Sequence, residues 1–335
     1  MVPVLTQCGK NVIDYIDPDP MLFSAAASHS TKSIITTTNY PLDEPFVVEA
    51  VHYPEAGAEG TVHMSRQVVQ YSFENVLWKT AEDYFWPTEG TIHFYAGSPV
   101  IPAVKFSSDN GVVADWTIDS VEDTQTDLCF AEVSEKCETH SVLVPIVFSH
   151  ALSQICFKAK TLKHYSYSRQ EGDLIQANII NVVLDSVKIG GIVSRGTFTQ
   201  KPKGWTLDPS QTAEYMVYKN QEGLELGCDR YDNPILVKLN DMLLLPQTLR
   251  DGAYIQEWHH INVRSSITDK TTGQIISDKT IVLPHTYTLP LRQYCREWEM
   301  DVKYTFRIAV GMDPTEITTA LTDWTETKEI IIGDE

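Results

Sequence analysis

Val302-Lys303-Tyr304-Thr305-Phe306-Arg307-Ile308-Ala309-Val310 is the stretch that sets the fold class. Val302, Tyr304, Phe306, Ile308 and Val310 alternate with Lys303, Thr305, Arg307 and Ala309. Successive side chains of a strand point to opposite faces, so the segment reads as a strand with one apolar and one mainly polar face. Working outward, the same period of two recurs at Phe46–Tyr53, Gln67–Phe73, Thr91–Tyr95, Val112–Ile118 and Val142–Phe148. It recurs again at Gln154–Lys160, Gln176–Asp185, Glu214–Tyr218, Ile255–Val263, Lys279–Leu283 and Glu329–Ile332. Asp109-Asn110-Gly111 and Gly190-Gly191 are expected to supply turns. Many short strands without intervening helices predict antiparallel sandwiches rather than a parallel α/β sheet. One composition break, TQKPKGWTLDPSQT at Thr199–Thr212, leaves enough strands on each side for a sandwich apiece. The expected organisation is therefore a tether over 1–20, an N-terminal domain over 21–203 and a C-terminal domain over 204–335. No repeat period of a solenoid or propeller is visible.

The chain has 335 residues, with 42% apolar and 21% charged, which is ordinary globular composition. Its 26 Lys and Arg stand against 45 Asp and Glu, for a net charge of −19. Such a surface repels phosphate backbones, because nucleic-acid affinity comes largely from cations that displace counterions; nucleic acid is not an expected partner. No run approaches the length of a membrane-spanning helix. Near the start, Leu5-Thr6-Gln7-Cys8-Gly9 resembles the tail of a bacterial lipoprotein box, in which Cys8 would carry the lipid. Gln7 stands where a small residue is usual, and the plain alternative is an ordinary terminal cysteine. Gly9–Pro20 is polar and acidic, as a tether would be. Five further cysteines remain, Cys129, Cys137, Cys156, Cys228 and Cys295. Cys129 and Cys137 could pair, but scattered cysteines in a chain of this size are more often buried thiols, and no zinc-ligand spacing is present.

The search for catalytic signatures returns little. GxSxG, HExxH, GxxxxGK[ST], GxGxxG and EF-hand patterns are all missing. His259-His260 invites a metal reading. In a strand, however, His259 is in phase with Ile255 and Ile261 and His260 with Trp258, so the pair faces opposite ways. Asp119, Asp123 and Asp127 read as a solvated acidic loop, since their spacing fits no recognised calcium loop. Seven Trp and fifteen Tyr could build a sugar-stacking platform, but in an all-β protein they are mostly core. No cofactor, metal or catalytic residue is assigned.

Several segments together resemble the fimbrillins of Bacteroides-type surface pili. They are Tyr84-Phe85-Trp86-Pro87 with His93-Phe94-Tyr95-Ala96-Gly97-Ser98-Pro99, the Val142–Lys160 strand pair around His150-Ala151-Leu152-Ser153, and Leu243-Leu244-Leu245-Pro246-Gln247. The closing pattern is Ile281–Pro284, Trp298, Tyr304-Thr305-Phe306 and Asp323-Trp324. Met300-Asp301 departs from the glycine turn usual there. The resemblance implies an all-β protein of two tandem, antiparallel Greek-key β-sandwiches of transthyretin-like type, without enzymatic activity. It implies export as an outer-membrane lipoprotein anchored through Cys8. It further implies proteolytic loss of the first strand, here Met21–Ser30, and filling of the groove by a strand from a neighbouring subunit. The expected cut follows Lys32, where relatives carry Arg. The donor-strand candidate is Glu329, Ile330, Ile331 and Ile332, which could equally be the last strand of its own sandwich. The short tail after it favours a tip or accessory subunit over a repeating stalk subunit. Other readings are a monomeric surface carbohydrate-binding or adhesin lipoprotein, with surface glycans or proteins as partners, and, more weakly, a glycan hydrolase with two convergent carboxylates.

Overall fold

The computed structural model describes residues 19–27, 40–107, 109–161, 165–229, 233–311 and 316–323. The first strands are β1 (Phe23–Ala27), β2 (Phe46–Tyr53), β3 (Thr61–Ser72), β4 (Leu77–Thr80), β5 (Thr91–Ser98), β6 (Val104–Ser107), β7 (Gly111–Thr117), β8 (Cys129–Lys136) and β9 (Val144–His150). There follow β10 (Ser153–Thr161), β11 (Tyr165–Glu171), β12 (Leu174–Val193), β13 (Arg195–Thr199), β14 (Gly204–Leu207), β15 (Thr212–Leu226) and β16 (Val237–Leu244). The last are β17 (Gln247–Thr248), β18 (Tyr254–Asp269), β19 (Ile275–Pro290), β20 (Glu297–Trp298), β21 (Val302–Val310) and β22 (Glu316–Asp323). Among the described residues the only helical elements are three short 3-10 turns. The all-β, mainly antiparallel class expected from the period of two is what the chain adopts.

The N-terminal sheet closes on itself in the order β1-β4-β3-β2-β5-β8-β9. Closure removes the unpaired edges that an open sheet would expose. The other sheets run β16-β10-β21-β22, β11-β12-β18-β19 with β15 on β12, β14-β13-β7-β6, and the short pair β17-β20. Among the described residues two pairings are parallel, β1 with β9 and β10 with β21. A parallel neighbour must come from far along the chain, and the local patterns carry no sign of either.

Two hydrophobic cores result. One fills the barrel and is drawn from Met21 to Phe148, with Phe23, Phe46, Phe94 and Phe148 at its centre. The other is drawn mostly from residues beyond 100, including Phe157, Phe198, Tyr215 and Phe306. Strand β8 is the shared wall: Cys129 and Ala131 face the barrel, while Leu128 and Phe130 on the alternate side pack into the second core. Val47 of β2 likewise faces outward from the barrel into the second core. The Thr199–Thr212 stretch folds as the end of β13, its hairpin to β14 and the lead into β15. Strand pairing crosses it, since β12 lies against β15 and β18, and β10 lies between β16 and β21. The second core also draws on Val104, Val112 and Trp116, through the sheet that joins β6 and β7 to β13 and β14.

Strand β21 shows what the alternation of 302–310 means in place. Tyr304, Phe306, Ile308 and Val310 are buried as expected, but Thr305 and Ala309 on the other face are buried too. The strand has β10 on one side and β22 on the other, and its mainly polar face is largely covered.

Gly190-Gly191 is not a turn. Both glycines lie inside β12, at a register shift between Ile189 and Ile192 in the pairing with β15. They serve close approach: a Cβ on Gly190 would meet the Tyr254 ring at 2.6 Å, and one on Gly191 would meet the Gly252 carbonyl oxygen at 2.2 Å. Gly191 also has φ +71°, which L side chains rarely adopt. Gly191→Ala is therefore expected to cost about 2–3 kcal/mol, from φ strain plus a backbone clash that no rotamer relieves. Urea unfolding checks this; a loss under about 0.5 kcal/mol would show that the bulge relaxes freely.

Candidate functional site

The best candidate is the slot in the barrel occupied by β1. Met21-Leu22-Phe23-Ser24-Ala25-Ala26-Ala27 alternates, so Met21, Phe23 and Ala27 are buried in the barrel while Leu22 and Ser24 are only half-buried. The strand lies parallel to β9, with Phe23 opposite Val144 and Ala27 opposite Phe148. Its link to β4 is a single register pair, Phe23 with Trp78. Just before it, the Met21 amide donates to the Tyr84 carbonyl at 2.7 Å and the Val144 amide donates to the Leu22 carbonyl at 2.8 Å. Phe23 is the one large side chain in β1, edge-on to Phe94 at 5.9 Å and to Phe46 at 6.5 Å. The rest of the strand is Ser and Ala, which bury little apolar area and add little stability. β1 is thus a short plug fixed by one aromatic anchor and one five-residue ladder.

Tyr40 is also buried in the barrel core. Its ring lies 4.7 Å from Phe148 and 5.6 Å from Trp78, and its hydroxyl is 2.7 Å from Ser98 Oγ. Cys8, Lys32 and Glu329–Ile332, the expected lipidation, processing and donor-strand residues, lie outside the described residues.

The segments that carry the resemblance have structural work. Trp86 is buried and stacks flat on His140, ring centres 4.2 Å apart. Tyr95 accepts a hydrogen bond from Lys201 Nζ at 2.8 Å, and the same ammonium pairs with Glu132. Leu243, Leu244 and Leu245 are fully buried. The Gln247 side chain acts as a strand substitute: its Oε1 accepts from the Val193 amide at 3.0 Å and its Nε2 donates to the Val193 carbonyl at 3.1 Å. This amide clamp gives Gln247, two residues after the leucines, its structural role. Trp116 is buried and Trp258 is half-buried with Lys188 Nζ over its ring, so these aromatics do not form an open sugar platform.

The two strand histidines face opposite ways, as their phase requires. His259 contacts Glu257 at 2.9 Å in the core, while His260 contacts Asp185 at 2.9 Å near the surface. The acidic run does not converge either. Asp119 is exposed and accepts from the Val121 amide at 2.9 Å, whereas Asp127 turns inward. Cys129 and Cys137 are both buried free thiols.

One cluster escaped the sequence reading. Asp127, Cys129 and His150 converge at the wall between the two cores, with Cys129 directly opposite His150 in the β8–β9 register. Asp127 Oδ2 and His150 Nδ1 form a tight ion pair. Burial by itself would lower the basicity of His150, but the Asp127 carboxylate and the neighbouring Cys129 sulfur overturn that, and the imidazole is raised to about 12. Burial, with Asp127 beside it, pushes the Cys129 thiol up to about 12. The only sequence signal is the Asp-x-Cys spacing, which puts two side chains on one face of an extended chain.

A helix-poor chain in which β1 completes a closed barrel packed beside a second β unit belongs, by its described residues, to the class of all-β proteins. A sequence profile described as fimbrillin-like matches residues 46–324, and the chain belongs to the fimbrillin-like family. Membership makes it a pilus-related or adhesin-like protein of the cell surface. No curated protein matches it. Among solved structures, it is similar to a proposed cell adhesion protein from Bacteroides uniformis, at 15% identity and a TM-score of 0.53, over 92% of this chain and 100% of that one. It is also similar to a proposed cell adhesion protein from Bacteroides ovatus, at 15% identity and a TM-score of 0.51, over 93% and 99% of the two chains. At such identity these likenesses establish the fold.

Proposed function

We propose that this chain is a non-enzymatic structural subunit of a surface fimbrium, tethered to the outer membrane through lipid on Cys8 until a cut after Lys32 frees it. In this reading the cut lets β1 leave the barrel, and a strand from a neighbouring subunit takes its place, with Glu329–Ile332 as the donor. The observation that carries the reading is the way β1 is held. A plug with one aromatic anchor and a single-residue link to β4 is held by few side chains and one short ladder, which favours its exchange. Once it is gone, β9 and β4 present unpaired N–H and C=O groups, and an added strand restores a ladder while its alternate side chains refill the core. The net charge of −19 keeps subunits soluble before assembly.

The alternative is a monomeric surface adhesin that binds glycans or proteins. The burial of Trp86 and Trp116 weighs against glycan stacking on those rings.

The test is limited digestion with a Lys/Arg-specific protease, followed by N-terminal sequencing and an unboiled denaturing gel. A single cut after Lys32 with SDS-resistant ladders is the expected outcome. A cut product that stays monomeric would place the chain at a tip or anchor. Resistance at Lys32 with a stable monomer would overturn the exchange reading.

A further inference from the structure

The chemistry of the Asp127–Cys129–His150 cluster is not used by strand exchange and stands independently of it. We propose that these three residues form a binding site for one zinc-class divalent cation at the wall between the two cores. The backbone builds the site. Cys129 at the start of β8 sits between Ser98 of β5 and His150 of β9, its register partners on either side. Asp127, two residues earlier, adds its carboxylate on the same side. Cys129 Sγ lies 3.5 Å from Asp127 Oδ2 and 3.6 Å from His150 Nδ1.

These separations match what a metal needs. Zinc bonds of about 2.3 Å to sulfur and about 2.0–2.2 Å to nitrogen or oxygen give tetrahedral edges of roughly 3.3–3.6 Å. The two edges to sulfur are already that long; the third opens when the ion replaces the direct contact between His150 and Asp127. A second observation points the same way. Asp127 Oδ1 is buried and has no hydrogen-bond partner among the described residues, although a buried carboxylate oxygen left unsatisfied is costly. An ion held by the carboxylate, or water on that ion, answers this deficit.

The donor set selects the ion. One thiolate, one imidazole and one carboxylate suit zinc, cobalt or cadmium, and fit poorly with calcium or magnesium, which take oxygen ligands. Thiolate and carboxylate together cancel a charge of +2, so the loaded site adds no net charge to the buried wall. On binding, the Cys129 thiol and the His150 imidazolium each release a proton to solvent, and the metal takes both places. Asp127, with 16% of its side chain exposed, gives the ion its way in and leaves a fourth position for water.

The experiment uses the full chain, stripped with a chelator and titrated with Co2+. A single equivalent is expected to give a thiolate-to-cobalt charge-transfer band with the visible bands of a four-coordinate site, and Zn2+ should bleach both. Cys129→Ser, which keeps size and polarity, should abolish the charge-transfer band. It should also weaken Zn2+ binding by more than the roughly 10- to 100-fold that loss of an outer-shell partner costs. Cys228→Ser and Cys295→Ser should leave the spectrum unchanged. His150→Gln should change the visible bands; if that variant does not fold, Cys129→Ser carries the decision, with circular dichroism confirming its fold. No band in the parent, or an unchanged band in Cys129→Ser, overturns the proposal and leaves a buried His–Asp ion pair beside an inert thiol.

Discussion

Phe23→Ala is expected to destabilise the barrel by about 3–5 kcal/mol, the usual cost of removing a fully enclosed aromatic ring. Phe23 is 1% exposed, and its ring edges meet Phe46 and Phe94, so truncation loses both transfer energy and edge-to-face contacts. The cavity would lie under a rigid, closed wall, which favours the upper part of the range. Collapse of the neighbours is opposed because Phe46 is already packed by Tyr40 and Trp78, Phe148 by Tyr40 and Phe94 by Trp86. Urea unfolding followed by tryptophan fluorescence reports on the barrel through Trp78 and Trp86, together with Trp116 and Trp298 of the second core. The same substitution separates anchoring from assembly. In cut protein, a weakened plug should leave faster, so SDS-resistant ladders should appear sooner than with the parent sequence. A loss under about 1 kcal/mol would mean that Phe23 is not the anchor. Equal ladder kinetics, with the full loss of stability, would mean that β1 release does not limit assembly.

Half of the described strands were legible, because period two is a local property. Val302–Val310, Gln154–Lys160 and Phe46–Tyr53 each announce themselves within a few residues and appear with nearly the expected bounds. What was hidden is non-local. Barrel closure depends on Phe23–Ala27 meeting Val144–Phe148, segments far apart in sequence, and five short residues rich in alanine carry no strand signal. Gly190-Gly191 misled for the complementary reason. A glycine pair marks either a turn or a close backbone approach, and only the position of Gly252 and Tyr254 on the other side decides. The Thr199–Thr212 break was real as composition, but proline and glycine serve a hairpin as well as a linker. At the candidate sites, Met21-Leu22-Phe23 could be read as an apolar patch, whereas the slot around it could not. Asp127, Cys129 and His150 come together only through the β8–β9 register.

Asp127→Ala should be the most damaging single change in the wall between the cores, at about 3–5 kcal/mol in chelator-treated protein. Removing one partner of a buried pair leaves the other charge without compensation, and such losses exceed what the intact pair contributes. His150 is 1% exposed and Asp127 16%, so solvent cannot rescue the imidazolium. It would instead deprotonate, because burial lowers its basicity once the carboxylate is gone. That gives the variant a pH signature whose sign is fixed. A base whose folded pKa is depressed binds fewer protons folded than unfolded, so stability is lost as pH falls through the unfolded value of about 6.5. In the parent the folded pKa is raised, and His150 contributes its full stabilisation below that value. The gap between parent and variant should therefore widen from pH 7 to pH 5. Asp127→Asn, which retains an acceptor, should recover part of the loss near pH 7 and little of it at pH 5. Urea midpoints at the two pH values measure all of this. A loss below about 1 kcal/mol, or a gap that narrows on acidification, would mean that His150 is neutral in the native protein and that the pair is an ordinary hydrogen bond.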